Sequence, residues 1–112
     1  MLIKVVYSEA YEVDIGAHVF PTTKFRLIRE KLLKEKLIPA ENFLSAPSAK
    51  EEEILLVHTK SYLNKLSQGT LSPQEIFTLE LPYSKALVRA SSICVGGSIL
   101  AAKEALGENE DT

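Results

Sequence analysis

The chain has 112 residues, 46% of them hydrophobic and 25% charged, which suits one ordinary folded domain with little margin for a second. Its formal net charge of -2 offers no general attraction for phosphate, so a nucleic-acid partner would need a local basic stripe. One cysteine, Cys94, excludes an intrachain disulfide and a cysteine-rich metal site and fits a reducing, cytoplasmic compartment.

The N-terminal run "LIKVVY", residues 2–7, combines β-branched and aromatic residues and predicts a mostly buried strand, not a signal sequence. After the loop "SEAYEVDIGAHVFP", Pro21 suits a helix start and Thr22 or Thr23 a cap. Phe25, Ile28, Leu32 and Leu33 then recur at helical spacing, predicting a helix over 22–37 that Pro39 stops. Lys31, Lys34 and Lys36 on it are interleaved with Glu30 and Glu35, the pattern of a solvated helix face rather than of a nucleic-acid binder.

"NFLSAP" predicts a second short strand ended by Pro47. Ser48 with Glu51 forms an S-x-x-E capping box for a helix over 48–57. Thr59 caps a helix over 59–67 ended by Gly69. Ser72, Pro73 and Glu75 supply cap, first-turn proline and N3 acid for a helix over 73–79.

From Ser84 a long helix over 84–106 carries small residues at Ala86, Ala90, Cys94, Gly97, Ala101 and Ala105. This stripe invites close approach of a neighbour, with apolar residues around most of the remaining circumference. The pair Gly96-Gly97 inside a helix costs about 1 kcal/mol per glycine relative to alanine, a cost accepted where another element packs too closely for a Cβ. No stretch of about eighteen apolar residues is free of charge, so no membrane span or membrane partner is expected. Residues 107–112, "GENEDT", read as an acidic tail or a truncation point.

A zinc site would need three or four converging ligands, announced by pairs such as H-x-x-x-H or D-x-H; neither occurs. His18 and His58 stand forty residues apart without an adjacent ligand. Neither a G-x-S-x-G elbow nor a glycine-rich phosphate loop is present, and Cys94 on an apolar helix reads as a packing residue. The stretch "AHVFP" at 17–21 keeps two readings: His18 at the mouth of a site, or a loop anchored by an aromatic.

As an ordered set, "VVYSEAY", "HVFPTTKFRLI", "EEEILLVHTKSYLNKL" and "LPYSKALVRASSICVGGSILAAKEAL" resemble the N-terminal portion of the histone deacetylase superfamily, most closely its bacterial, class IV-like members. His58, Thr59 and Tyr62 stand in the family's H-T-x-x-Y arrangement, and Gly96 and Gly97 in its glycine pair. The resemblance implies the N-terminal part of an arginase/deacetylase-like parallel-sheet α/β fold, helix-dominated with about two short strands, and one partial domain over 1–112.

It also implies zinc in the complete family enzyme, held by an Asp-x-His pair and a later Asp. A His-His dyad and a tyrosine serve hydrolysis of acyl-lysine or a small acetylated amide. None of these motifs is present here, so no catalytic residue, metal ligand or cofactor is expected in this chain. By resemblance, His18, Phe20, Pro21 and Glu80 fall at the substrate-channel rim, and Lys24 belongs to the same motif region. His58, Thr59 and Tyr62 are expected to be structural. The chain alone should be inactive, its partner a C-terminal catalytic portion. The alternative is a non-catalytic, self-associating or partner-binding helical module, with the long apolar helix dimerising or repacking against the first helix.

Overall fold

The computed structural model describes residues 3–17 and 20–107. Two short strands, β1 (Val5–Tyr7) and β2 (Phe43–Ser45), form a parallel sheet in which Val5 faces Phe43 and Tyr7 faces Ser45. Around it lie α1 (Thr23–Lys34), α2 (Glu51–Ile54), α3 (Lys60–Gln68), α4 (Pro73–Leu79) and α5 (Lys85–Ala105). Single 3-10 turns cover Glu9–Tyr11 and Ala40–Asn42. The α/β, helix-dominated architecture is the one expected.

β1 is shorter than the run that predicts it. Leu2 lies outside the described residues, Ile3 is exposed, and Lys4 reaches out to Glu104 at 3.3 Å. The pairing extends slightly past the strands: the Asn42 side-chain amide donates to the Ile3 carbonyl at 3.0 Å, and the Ala46 amide to the Tyr7 carbonyl at 3.0 Å.

α1 begins without a side-chain cap. The Thr22 hydroxyl instead accepts from the Val13 amide and donates to the Val13 carbonyl, at 3.0 and 2.7 Å, lashing the preceding loop to the helix start. Its end comes three residues before the expected 37. Lys36 adopts φ 57°, its amide donates to Leu33 and that of Leu37 to Leu32. This is a Schellman closure with lysine in glycine's usual place, and it acts before Pro39 can.

The expected helix over 48–57 is reduced to α2, and Ser48 does not cap it. Lys50 is the N-cap residue, its amide donating to the Glu53 carboxylate at 2.7 Å. The cause lies upstream, where residues 47–49 are held extended across α5: the Ala49 amide donates to the Ser92 carbonyl at 3.0 Å.

The later caps fall where their sequence signals stand. Thr59 accepts from the Tyr62 amide at 3.1 Å, Gly69 closes α3 at φ 72°, and Ser84 accepts from the Leu87 amide at 2.9 Å. Ser72 and Glu75 cap each other's amides reciprocally at 3.1 and 2.8 Å. Hydrogen bonding from the Ser72 amide, then from Lys65, holds the Glu75 carboxyl below the ordinary glutamate range. A carboxyl whose pKa is depressed on folding stabilises above its unfolded value and loses that contribution as pH falls through the folded one. Glu75→Gln should therefore flatten the loss of melting temperature seen by circular dichroism below about pH 4.3; an unchanged acid limb contradicts this role.

α5 packs mainly on β1, α3 and the Glu9–Tyr11 turn. By length and composition it is apolar enough to cross a membrane. Its buried line is Leu87, Ala90, Ile93, Gly96 and Gly97. The stripe of small residues is thus only partly the packing face, since Ala86, Cys94, Ala101 and Ala105 are exposed. Nor is the rest of the largely apolar circumference covered all round: Val95, Ser98 and Ala102 are exposed as well.

The core is correspondingly slight. Leu71, Leu87, Ala90 and Ile93 are its buried hydrophobic side chains among the described residues, while Leu56, Val57 and Phe77 are more than 80% exposed. The molecule is a slab of 48 × 34 × 17 Å with a radius of gyration of 16.1 Å, against about 13 Å for a compact domain of this length. Its accessible surface of 8196 Å² exceeds by roughly a third the ~6,100 Å² of a folded monomer of 12.4 kDa.

Candidate functional site

The loop entering α1 and the long helix meet through a row of rings. Phe20 lies 5.8 Å from Phe25, Phe25 5.4 Å from Tyr11, and Tyr11 6.0 Å from Tyr7. The Lys24 ammonium sits 3.6 Å from the centroid of the Phe20 ring, a cation–π contact that keeps an exposed aromatic in place. Pro21 is exposed beside it. His18 lies outside the described residues. Arg26 is tied to Glu12 of the preceding loop at 2.9 Å and to Glu30 at 3.3 Å, and these hydrogen bonds, Glu12's first, raise its pKa further.

The inner end of that row explains the glycine pair. A Cβ on Gly97 would run into the Tyr11 hydroxyl and lie 3.2 Å from the Ala46 Cβ. One on Gly96 would overlap the Pro47 carbonyl oxygen and lie 2.8 Å from the Ala49 nitrogen. Gly96 lets the segment leaving β2 press its backbone on α5, and Gly97 makes room for the Tyr11 ring and the Ala46 side chain. Partial burial raises the Tyr11 hydroxyl pKa, with a smaller contribution from the nearby Cys94 charge. Cys94 is exposed, yet partial desolvation beside its neighbours pushes its thiol pKa up, so the cysteine is protonated at neutral pH and a poor nucleophile.

The H-T-x-x-Y segment has a mechanical reading. Thr59 caps α3 on the amide of Tyr62, and the His58 ring lies over Tyr62 at 5.5 Å. The residue before the cap thereby packs on the first turn, as a staple does. His58 is exposed, and its bond at the helix junction is made by its backbone amide, to Ile54 at 3.0 Å; its imidazole contributes the ring contact alone.

His58 and Tyr62 also border a cleft of about 630 Å³ between α2–α3 and α5, with Ile54, Leu63, Leu87 and Val95 among its apolar walls. Tyr83 closes one end, its hydroxyl donating to the Leu66 carbonyl.

Glu80 ends α4 in the left-handed region, at φ 61°, a conformation that costs a non-glycine residue roughly 1 kcal/mol. Its side chain is exposed and makes no hydrogen bond or ion pair among the described residues. Among the described residues no three His, Cys, Asp or Glu side chains converge as metal ligands would. The described residues therefore do not form a zinc site by themselves. Tyr11 is the positioning residue that sequence reading missed: its pairing with Gly97 spans 86 positions and has no local signature.

A sequence model of the histone deacetylase domain matches residues 18–112. Among the relatives, an uncharacterized protein of Picosynechococcus sp. is 36% identical over 103 residues, covering 91% of this chain and 34% of its own. The chain thus spans about a third of the length of this curated relative. With a domain match that runs over most of its residues, the chain belongs to the histone deacetylase family.

Proposed function

We propose that this chain supplies the N-terminal part of a bacterial, class IV-like, zinc-dependent amidohydrolase domain. The complete enzyme would hydrolyse acyl-lysine or a small acetylated amide in the cytoplasm. The observation that carries the reading is the pairing of family membership with a slab whose accessible surface is about a third larger than that of a closed domain. Phe20, Pro21 and Glu80 would stand at the rim of the substrate channel, with His18 beside them. The chain's own task is structural: the glycine pair seats the segment after β2 on α5, and the Thr59 cap with its ring staple sets the direction of α3. Metal ligands and proton-transfer groups would come from the remaining part of the domain, in the same polypeptide or in a partner. Alone, these 112 residues are expected to show no zinc-dependent turnover of an acetyl-lysine peptide.

A second reading, a non-catalytic module that self-associates or binds a partner, draws on the exposed Val95, Ala101 and Ala102 of α5 together with Leu56 and Val57. Exposed apolar side chains of this kind, where they adjoin, mark an interaction site. Light scattering separates the two: a stable dimer that persists when the rest of the domain is supplied favours the module.

A further inference from the structure

A second cleft, of about 620 Å³, opens at the carboxyl ends of the two parallel strands, the side of an α/β sheet on which ligands bind. We propose that it is a binding site for a tetrahedral oxyanion, a phosphate group, gripped between Arg29 of α1 and Arg89 of α5. This inference is independent of any hydrolytic role.

The cations of the chain differ in how they are used. Lys4, Arg26, Lys31, Lys60 and Lys65 each have a carboxylate partner. Arg29 and Arg89 have none among the described residues, and neither do Lys24, Lys34, Lys36, Lys50, Lys85 and Lys103; what sets the two arginines apart is that they are the cations among the described residues that border this cleft. The Arg29 guanidinium is nonetheless held in place, 5.3 Å from the centroid of the Tyr7 ring and 5.4 Å from that of Phe43. Stacking on two rings orients a guanidinium while leaving its N–H donors to point elsewhere.

The remaining lining adds donors. Ser8 and Ser45, at the ends of β1 and β2, border the cleft with Tyr7. The Ser8 oxygen accepts from the Ala10 amide at 3.1 Å, and its own hydroxyl hydrogen is left to donate. Of the two acids there, Glu12 is engaged by Arg26, which leaves Glu9 as the unpaired negative charge opposing two positive ones.

The geometry favours a tetrahedral anion over a planar carboxylate. A carboxylate presents its acceptor oxygens in one plane, whereas a phosphate presents oxygens in three dimensions, to forks arriving from two elements and to hydroxyls between them.

The test is titration of the full chain with inorganic phosphate at constant ionic strength, followed by NMR of backbone amides and arginine Nε–Hε groups, with sodium sulfate and sodium chloride as parallel arms. Saturable shifts centred on Ser8, Arg29, Ser45 and Arg89, with a dissociation constant on the order of 1–10 mM, are expected for phosphate and for sulfate, and not for chloride. Arg89→Gln, at an exposed position, should weaken phosphate binding roughly fivefold to tenfold, in line with the loss of one charge-assisted bond. Glu9→Gln should tighten it roughly twofold by removing the opposing charge. Lys103→Gln, the same charge change far along α5, should leave it unchanged. Shifts that chloride reproduces, shifts that do not saturate, or equal weakening by Arg89→Gln and Lys103→Gln would overturn the site.

Discussion

Gly96→Ala is expected to cost the chain more than about 3 kcal/mol, enough to abolish cooperative unfolding in a domain with so small a core. The added methyl has nowhere to go, because the atom it meets is the backbone carbonyl oxygen of Pro47. Backbone cannot rotate aside as a side-chain tip can. Relief would require the 47–49 segment to lift off α5, and lifting it breaks the bond from the Ala49 amide to the Ser92 carbonyl. Gly97→Ala should be milder, since the closest obstacle there is the Tyr11 hydroxyl at the end of a side chain. Urea denaturation monitored by circular dichroism checks both; a Gly96→Ala chain as stable as the parent would mean that the segment after β2 does not lie on α5.

Ile93→Ala is expected to cost about 2–4 kcal/mol, the second-largest single effect. Ile93 is 5% exposed and is one of few buried side chains, so its truncation removes a substantial part of the core. Leu56→Ala and Phe77→Ala, at positions 85% and 83% exposed, should change stability by no more than about 0.5 kcal/mol. That contrast separates two populations of apolar residues: those that hold this chain together and those that face outward. The outward set is what the rest of the domain would cover, and the same substitutions should weaken its docking. Chemical denaturation of the three variants reads the first effect directly, and equal losses at Ile93 and Leu56 would contradict the division.

Much of the fold was legible because its signals are local. Thr59, Ser72 with Glu75, and Ser84 act as caps within one helical turn, and Gly69 closes α3 through its own backbone freedom. The two strands and their order on the chain follow from composition and flanking prolines. What was not legible depends on distant partners. Ser48 belongs to a good capping box by spacing, yet residues 47–49 are claimed by α5, more than forty positions away. The stripe of small residues predicted a continuous packing face, but which part of it is buried is decided by where β1 and α3 lie. In the candidate site, the H-T-x-x-Y arrangement identified the family before its physics was evident; a cap on Tyr62 and a ring staple from His58 supply that physics. The pairing of Arg29 with Arg89 at the strand ends had no sequence signature, because the two stand sixty positions apart on different helices.

This chain builds part of a histone deacetylase domain, and under the proposal above the catalytic groups come from the rest of that domain. The most direct measurement is hydrolysis of a fluorogenic acetyl-lysine peptide with added zinc, by the 112-residue chain alone and after joining it to the rest of a complete deacetylase domain. The expected result is no turnover above buffer for the chain alone and chelator-sensitive turnover for the joined protein. Chelator-sensitive hydrolysis by the 112 residues alone would contradict the claim.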